Sequence, residues 1–284
     1  MFGKTWKTSE RKHEIFIERH VSIPMSDGVR IDANIFRPDD RGRFPAILGV
    51  HPYDNELQSA PLKPAGMCVQ TGGLEAGDYN FYVRRGYIQV TANQRGTGRS
   101  GGEFTMLSPR AVQDVYEIIE WIAGQPWCDG NVGTFGASWL AMLGQRVAHL
   151  RPPHLKAIFS PFAVSDQYRD ALYHGGILNH AFHEAWADIL SNPRFPREPV
   201  FKQMFGEEKF KEAVARALSD SELTAVPFIE HVLKTGMGPV DTFLMHLDCD
   251  FYRMQATNYE KTEIPAYLGA CWGSFFRTSF QDAS

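Results

Sequence analysis

Ser138 lies in the stretch GNVGTFGASWLAMLGQ, residues 130 to 145, between a short β-type run ending at Gly136 and an apolar run of helical character. A serine at such a junction can do two things. It can cap the helix, its Oγ accepting from a first-turn amide, or it can be a nucleophile that a sharp strand-to-helix turn lifts above the sheet edge. The G-x-S-x-G pattern of such nucleophiles asks for glycine two residues after the serine, where this chain has Leu140, with the small Ala141 one position later. On these residues alone both readings stand. The nucleophile reading carries requirements of its own: a base for the hydroxyl, a carboxylate to orient an imidazole base, and donors for the oxyanion that forms as a carbonyl is attacked.

The surrounding elements decide whether such groups can meet. EIFIERHVSIP and VRIDANIFRP flank the turn MSDG, and the Asp27-Gly28 pair predicts an antiparallel hairpin. FPAILGVH and GYIQVTAN are short apolar strands, and from there strands alternate with helical stretches, as parallel strands with crossover helices require. Residues 109 to 124 place Val112, Val115, Ile118, Ile119 and Ile122 on one helical face between Pro109 and Gly124. NVGTFG reads as a strand, 138 to 150 as a helix apolar on most sides and hence central, and LKAIFSP as the next strand. From 163 to 246 the strand signal gives way to helical segments (NHAFHEAWADILSN, EEKFKEAVARALSD, ELTAVPFIEHVLKTG), and EIPAYLGACW returns to the sheet. The chain therefore divides into core residues 1–162, an inserted helical cap over 163–246, and a return to the core over 247–284.

Composition narrows the partners. The 29 Lys and Arg and 33 Asp and Glu give a net charge of -4 with no basic stripe, which disfavours nucleic acid and anionic membranes and favours a small-molecule substrate. No apolar run suits a signal peptide or reaches the roughly 20 residues of a membrane span, so the expected location is cytoplasmic. Cys68, Cys128, Cys249 and Cys271 form no C-x-x-C pair. GTGRSG, residues 96 to 101, matches a dinucleotide fingerprint in form, but GEFTMLSP intervenes before the helix, so no nucleotide is expected; Arg95 and Arg99 read as loop-anchoring or surface cations. HAFHE is neither H-E-x-x-H nor its inverse, and neither cofactor nor metal is expected. His51 reads as packing at a strand end. Phe81, Tyr82, Trp139, Phe162 and Trp186 could line an acyl pocket or simply fill the core.

Several stretches resemble one family in order. PWCDGNVGTFGASWLAMLGQ is similar to the nucleophile segment of the cocaine-esterase-like (CocE/NonD) and X-prolyl dipeptidyl peptidase hydrolases, which follow G-x-S with an aromatic residue and do not demand the second glycine. HVSIPMSDGVRIDANIFRPD, FPAILGVHPYDN and RRGYIQVTANQRGTGRSGGEF resemble the family's opening hairpin and next two strands with their loops, while SDQYRDALYHGG and HLDCDFYRM resemble the entrance and exit of its cap. The resemblance implies an α/β-hydrolase fold, a mostly parallel sheet with an antiparallel N-terminal hairpin and an inserted helical cap. It further implies hydrolysis of an ester or amide through an acyl-enzyme on Ser138. The Trp139 backbone N–H and the Tyr53 hydroxyl would hold the oxyanion; a packing tyrosine is the alternative for Tyr53.

The resemblance fails at the other two triad positions. Alignment of IPAYLGACWGSFFRT puts Gly273 where the family has its aspartate, and no histidine follows His246. The reading favoured is that the chain is the front portion of a longer protein, its core lacking the C-terminal end. Asp166 could then supply the acid, although it also matches the cap entrance, with Asp282 a weaker candidate. Two others remain: a hydrolase-fold protein that binds without turnover, and recruitment of His174, His180 or His183 from the cap. Homo-oligomerisation is possible on this sequence.

Overall fold

The computed structural model describes residues 8–55, 75–179, 206–225, 230, 234, 248 and 250–269. The chain opens with β1 (Ile15–Pro24) and β2 (Arg30–Pro38), paired antiparallel. Their turn closes where Gly28 N–H donates to Met25 C=O at 3.0 Å with Gly28 at φ +86°. Then come β3 (Phe44–His51), a short helix α1 (Tyr79–Val83), β4 (Ile88–Asn93), α2 (Pro109–Ala123), β5 (Cys128–Phe135), α3 (Trp139–Ala148) and β6 (Leu155–Pro161). A strand β9 (Ala266–Gly269) lies parallel to β6, so the expected return to the sheet occurs. Among the described residues seven strands form one sheet in the order β1-β2-β4-β3-β5-β6-β9, antiparallel as far as β4 and parallel beyond it.

The helices follow the chemistry of their ends and faces. Ser108 caps α2, its Oγ accepting from Ala111 N–H, Pro109 fills the first turn, and Gly124 closes it. Its five aliphatic residues on one face are all buried where α2 packs on α3 and β5; at about 1.5–3 kcal/mol for each such side chain, this seam dominates the docking of α2. Every residue of α3 is buried, which is the central position its all-round apolar pattern predicts. On the opposite face of the sheet, Phe135, Phe159 and Tyr267 are register partners on β5, β6 and β9 and stack at 5.1 and 4.8 Å.

Past β6 the structure departs from the purely helical reading in one detail. A π-turn (Tyr168–Leu172) leads into a hairpin of two-residue strands, β7 (Tyr173–His174) and β8 (Ile177–Leu178), joined through Gly175 and Gly176. Strands this short offer no alternation for a sequence to display. The expected helix in EEKFKEAVARALSD is present as α4 (Glu207–Leu218), followed by the short α5 (Ser221–Thr224) and α6 (Asp250–Arg253). NHAFHEAWADILSN lies outside the described residues except for Asn179. Among the described residues no helix is long and apolar enough to cross a membrane.

Candidate active site

The turn between β5 and α3 does not have the geometry of a serine cap. A capping serine has extended backbone and accepts from an amide of its helix. Ser138 has φ +54° and ψ -120° and makes no side-chain cap bond. That conformation is sparsely populated for a residue bearing Cβ and costs on the order of 1–3 kcal/mol. The surroundings fix it: Gly136 N–H donates to Phe159 C=O at 3.3 Å, Ala137 N–H to Glu75 C=O at 3.1 Å, and Ser138 C=O accepts from Met142 N–H at 3.0 Å.

The departure from the glycine pattern also has an explanation. Leu140 fits because two glycines face it: a Cβ on Gly136, at φ +148°, would sit 2.5 Å from Leu140 Cβ, and one on Gly49 would sit 2.7 Å from its Cδ2. Space that a glycine after the serine would provide is supplied instead by Gly49 on β3 and by Gly136 before the turn.

The hydroxyl of Ser138 hydrogen-bonds the carboxyl of Glu75. Glu75 is half-buried as a residue, yet its Oε2 is inaccessible to solvent. Burial lifts the Glu75 pKa from the usual carboxylate range to about 8, and the Ser138 bond, which favours the ionised form, pulls weakly against that rise. The segment carrying Glu75 is held on three sides. Besides the Ala137 amide, Gln89 Nε2 on β4 donates to Ala76 C=O at 2.9 Å. Gly77 runs so close to the end of β5 that a Cβ would lie 2.5 Å from Phe135 Cε1. Asp78 then caps α1, accepting from Asn80 N–H at 2.9 Å. The sequence reading missed Glu75, whose one available signal was a lone carboxylate among small residues in GGLEAGD just ahead of a capping aspartate.

Tyr53 sits just past β3, buried, with its ring parallel to that of His51 at 6.4 Å between centroids. Its loop is tied to the hairpin and to the end of β4 through Asp32. Asn55 Nδ2 donates to Asp32 Oδ2 at 3.1 Å, Asn93 Nδ2 to the same oxygen at 2.9 Å, and Asn55 N–H to Asn93 Oδ1 at 3.0 Å. His51 packs at the strand end as expected and is fully buried, which pushes its pKa down to about 4 and keeps the imidazole neutral. Trp139 opens α3, so Ser138 stands at the positive end of a ten-residue helix. Its indole N–H donates to Gln94 Oε1 at 2.8 Å and its ring stacks on Phe104, making the side chain core rather than pocket wall.

The remaining candidates fall elsewhere. Asp166 Oδ1 accepts from Arg169 N–H at 2.9 Å at the start of the π-turn. His174, on β7, bonds through Nε2 to the Asp170 backbone carbonyl at 2.9 Å. Neither bond involves Ser138. Gly273, Asp282, His180, His183 and Trp186 lie outside the described residues. Arg95 anchors its loop, donating from Nε and a terminal nitrogen to the two oxygens of Asp114 at 2.7 Å each and pairing with Asp27 at 2.9 Å, while Arg99 is exposed. The GTGRSG loop does not open a helix, since α2 begins at Pro109. Among the described residues no group of three or more His, Cys, Asp or Glu side chains is placed to hold a metal ion.

Comparison with known proteins places this arrangement. Residues 27–264 match the family model of the X-Pro dipeptidyl-peptidase (S15 family). The cocaine esterase of Rhodococcus sp. (strain MB1 Bresler) is 33% identical over 175 residues, covering 61% of this chain and 28% of that protein. The Xaa-Pro dipeptidyl-peptidase of Lactobacillus delbrueckii subsp. lactis is 26% identical over 146 residues, 46% of this chain and 18% of that protein. The chain thus spans less than a third of the length of these curated relatives. Among solved structures, a CocE/NonD family hydrolase from Staphylococcus aureus superimposes with a TM-score of 0.64 at 28% identity, covering 88% of this chain and 40% of that one. An α-amino acid ester hydrolase shares the fold at a TM-score of 0.61 and 20% identity, over 96% of this chain and 46% of that one. With its mostly parallel sheet, its antiparallel hairpin and its sharp β5–α3 turn, the chain has the α/β-hydrolase fold and belongs to the X-Pro dipeptidyl-peptidase (S15) family.

Proposed function

We propose that this chain carries the nucleophile and oxyanion elements of a serine hydrolase that cleaves an ester or an X-Pro amide through an acyl-enzyme on Ser138. The observation that carries the reading is the backbone of Ser138, held at φ +54° without the cap bond an ordinary helix-starting serine makes. Strain of this kind persists only where the surroundings over-determine it. Here they do so at the one serine the family resemblance singles out, with a carboxyl on its hydroxyl. In this mechanism Oγ adds to the acyl carbon and the negative charge on the carbonyl oxygen falls to the Trp139 N–H and the Tyr53 hydroxyl. The dipole of α3 favours that charge. Relatives named as a cocaine esterase and as an Xaa-Pro dipeptidyl-peptidase support ester and X-Pro amide substrates alike.

A fluorophosphonate probe tests the reading on the intact chain. Stoichiometric labelling that Ser138→Ala abolishes is the expected result; labelling that persists in Ser138→Ala, or a folded wild-type chain that takes up no probe from pH 6 to 9, overturns it.

A further inference from the structure

We propose that Arg146 and Gln145 of α3 form a binding site for a halide or another monoanion of that size, separate from the serine. The inference does not depend on the acyl-enzyme reading. In the run WLAMLGQRVA these two side chains interrupt an otherwise apolar helix, and both are buried, Arg146 to 1% exposure and Gln145 to 2%. Both reach the segment that follows α6. Arg146 Nε donates to Gln255 C=O, and Gln145 Oε1 accepts from the Tyr259 hydroxyl at 3.2 Å. That segment is tied in turn to the chain leaving β6, where Thr257 N–H donates to Ser165 C=O at 2.9 Å. What is left on the two side chains is one-sided. Arg146 Nη1 and Nη2 and Gln145 Nε2 are closed off from solvent, and among the described residues none of the three has a hydrogen-bond partner. Each is an NH₂ group, so the whole surplus is donor and none of it acceptor.

Charge and size then set the class of ligand. Burial lowers the Arg146 pKa to about 10, which still leaves the guanidinium cationic at neutral pH. A cation is tolerated in an interior when it is paired and hydrogen-bonded. Asp166 does not fill that role. Its field favours the charged form, but its Oδ1 accepts from Arg169 N–H at 2.9 Å and its Oδ2 lies 3.7 Å from Arg169 Nε, with no bond to Arg146 Nη1 or Nη2. A neutral ligand would satisfy the donors and leave the charge. An anion of substrate size has no approach to nitrogens that solvent does not touch. A halide accepts N–H donors from several directions and balances one charge. Arg146 follows Ser138 by eight residues, about 12 Å along the helix at ~1.5 Å per residue, so this ligand would not compete for the oxyanion position.

An anion held there fastens α3 to the segment after α6, so stability is the readout. Thermal melts of the intact chain are compared in sodium bromide and in sodium gluconate at equal ionic strength. Tm should climb with the logarithm of bromide concentration, by about 5 °C at a hundredfold excess over Kd, and gluconate should give no such climb. Gln145→Leu keeps the cation and should raise the bromide Kd ~3–10-fold. Arg146→Gln should remove the dependence; if that variant does not fold, Gln145→Leu and the wild-type crystal decide. Wild-type crystals soaked in bromide should show an anomalous peak touching Nη1, Nη2 and Gln145 Nε2. Identical melts in the two salts, or a bromide response unchanged in Gln145→Leu, overturn the proposal. So does a guanidinium found bonded to water or to protein oxygens in place of bromide. A crystal peak without the response in solution marks an adventitious ion only and overturns it as well.

Discussion

Replacing Ser138 by glycine should make the folded chain more stable than replacing it by alanine, the reverse of what a position inside a regular helix or strand would show. Both variants lack the hydroxyl and lose the Glu75 bond equally, so their difference isolates the backbone. At φ +54° and ψ -120°, alanine bears the strain of its Cβ, of order 1–3 kcal/mol, and glycine does not. Against this stands the greater freedom of glycine in the unfolded chain, about 0.5–1 kcal/mol. The net expectation is that Ser138→Gly exceeds Ser138→Ala by about 1 kcal/mol. A regular backbone would give about 1 kcal/mol in the opposite direction, so the hypotheses are separated by ~2 kcal/mol. At roughly 2–4 °C per kcal/mol for a chain of this size class, paired thermal melts resolve the sign, and urea titrations convert it to free energy. If Ser138→Gly melts below Ser138→Ala, the strained-elbow argument is refuted.

Tyr53→Phe should lower kcat on an activated ester by ~10²–10³ while leaving KM nearly unchanged, as removal of one oxyanion donor does; an unchanged kcat removes the hydroxyl from the mechanism. Asp114→Ala strands the buried Arg95 guanidinium with Asp27 as its remaining carboxylate, and should cost about 3 kcal/mol in urea unfolding; a loss under 1 kcal/mol contradicts the burial argument. For pH, Glu75 with its raised pKa keeps a proton in the folded state that the unfolded chain releases, so its contribution falls as pH climbs from 4.5 to 8. His51, with its pKa lowered to about 4, acts oppositely below 6.5, where the unfolded chain takes up a proton that the folded one refuses. The two slopes cancel between 4.5 and 6.5, leaving a net loss of about 2 kcal/mol from pH 6.5 to 8. Urea unfolding of wild type and Glu75→Gln at both pH values should show that loss only in wild type.

Much of this fold could be read from local chemistry because the signals are local. Asp27-Gly28 marks the hairpin, Ser108-Pro109 and Gly124 bracket α2, and the glycine two residues before Ser138 marks the elbow. What escaped the sequence depends on contacts between distant segments. Leu140 looked like a defect in the nucleophile pattern until Gly49, on another strand, was seen to make room for its side chain. Glu75 sits in a segment without regular structure, so no periodicity flags it, and its meaning comes from lying over a turn formed far along the chain. From the sequence Arg95 read as a loop-anchoring or a surface cation, and its bidentate partner Asp114 became identifiable only once α2 was placed.

The carboxylate of Asp32 gathers side chains from the loop after β3 and the end of β4, while its own backbone N–H donates to Ser100 Oγ in the loop after β4 at 2.9 Å. The antiparallel ribbon at the N-terminal edge is therefore a brace for the Tyr53 loop, with β4 and β3 between it and β5, whose end carries the serine. Damage to that ribbon should register first as a misplaced phenol and slower turnover, well before the molecule as a whole comes apart.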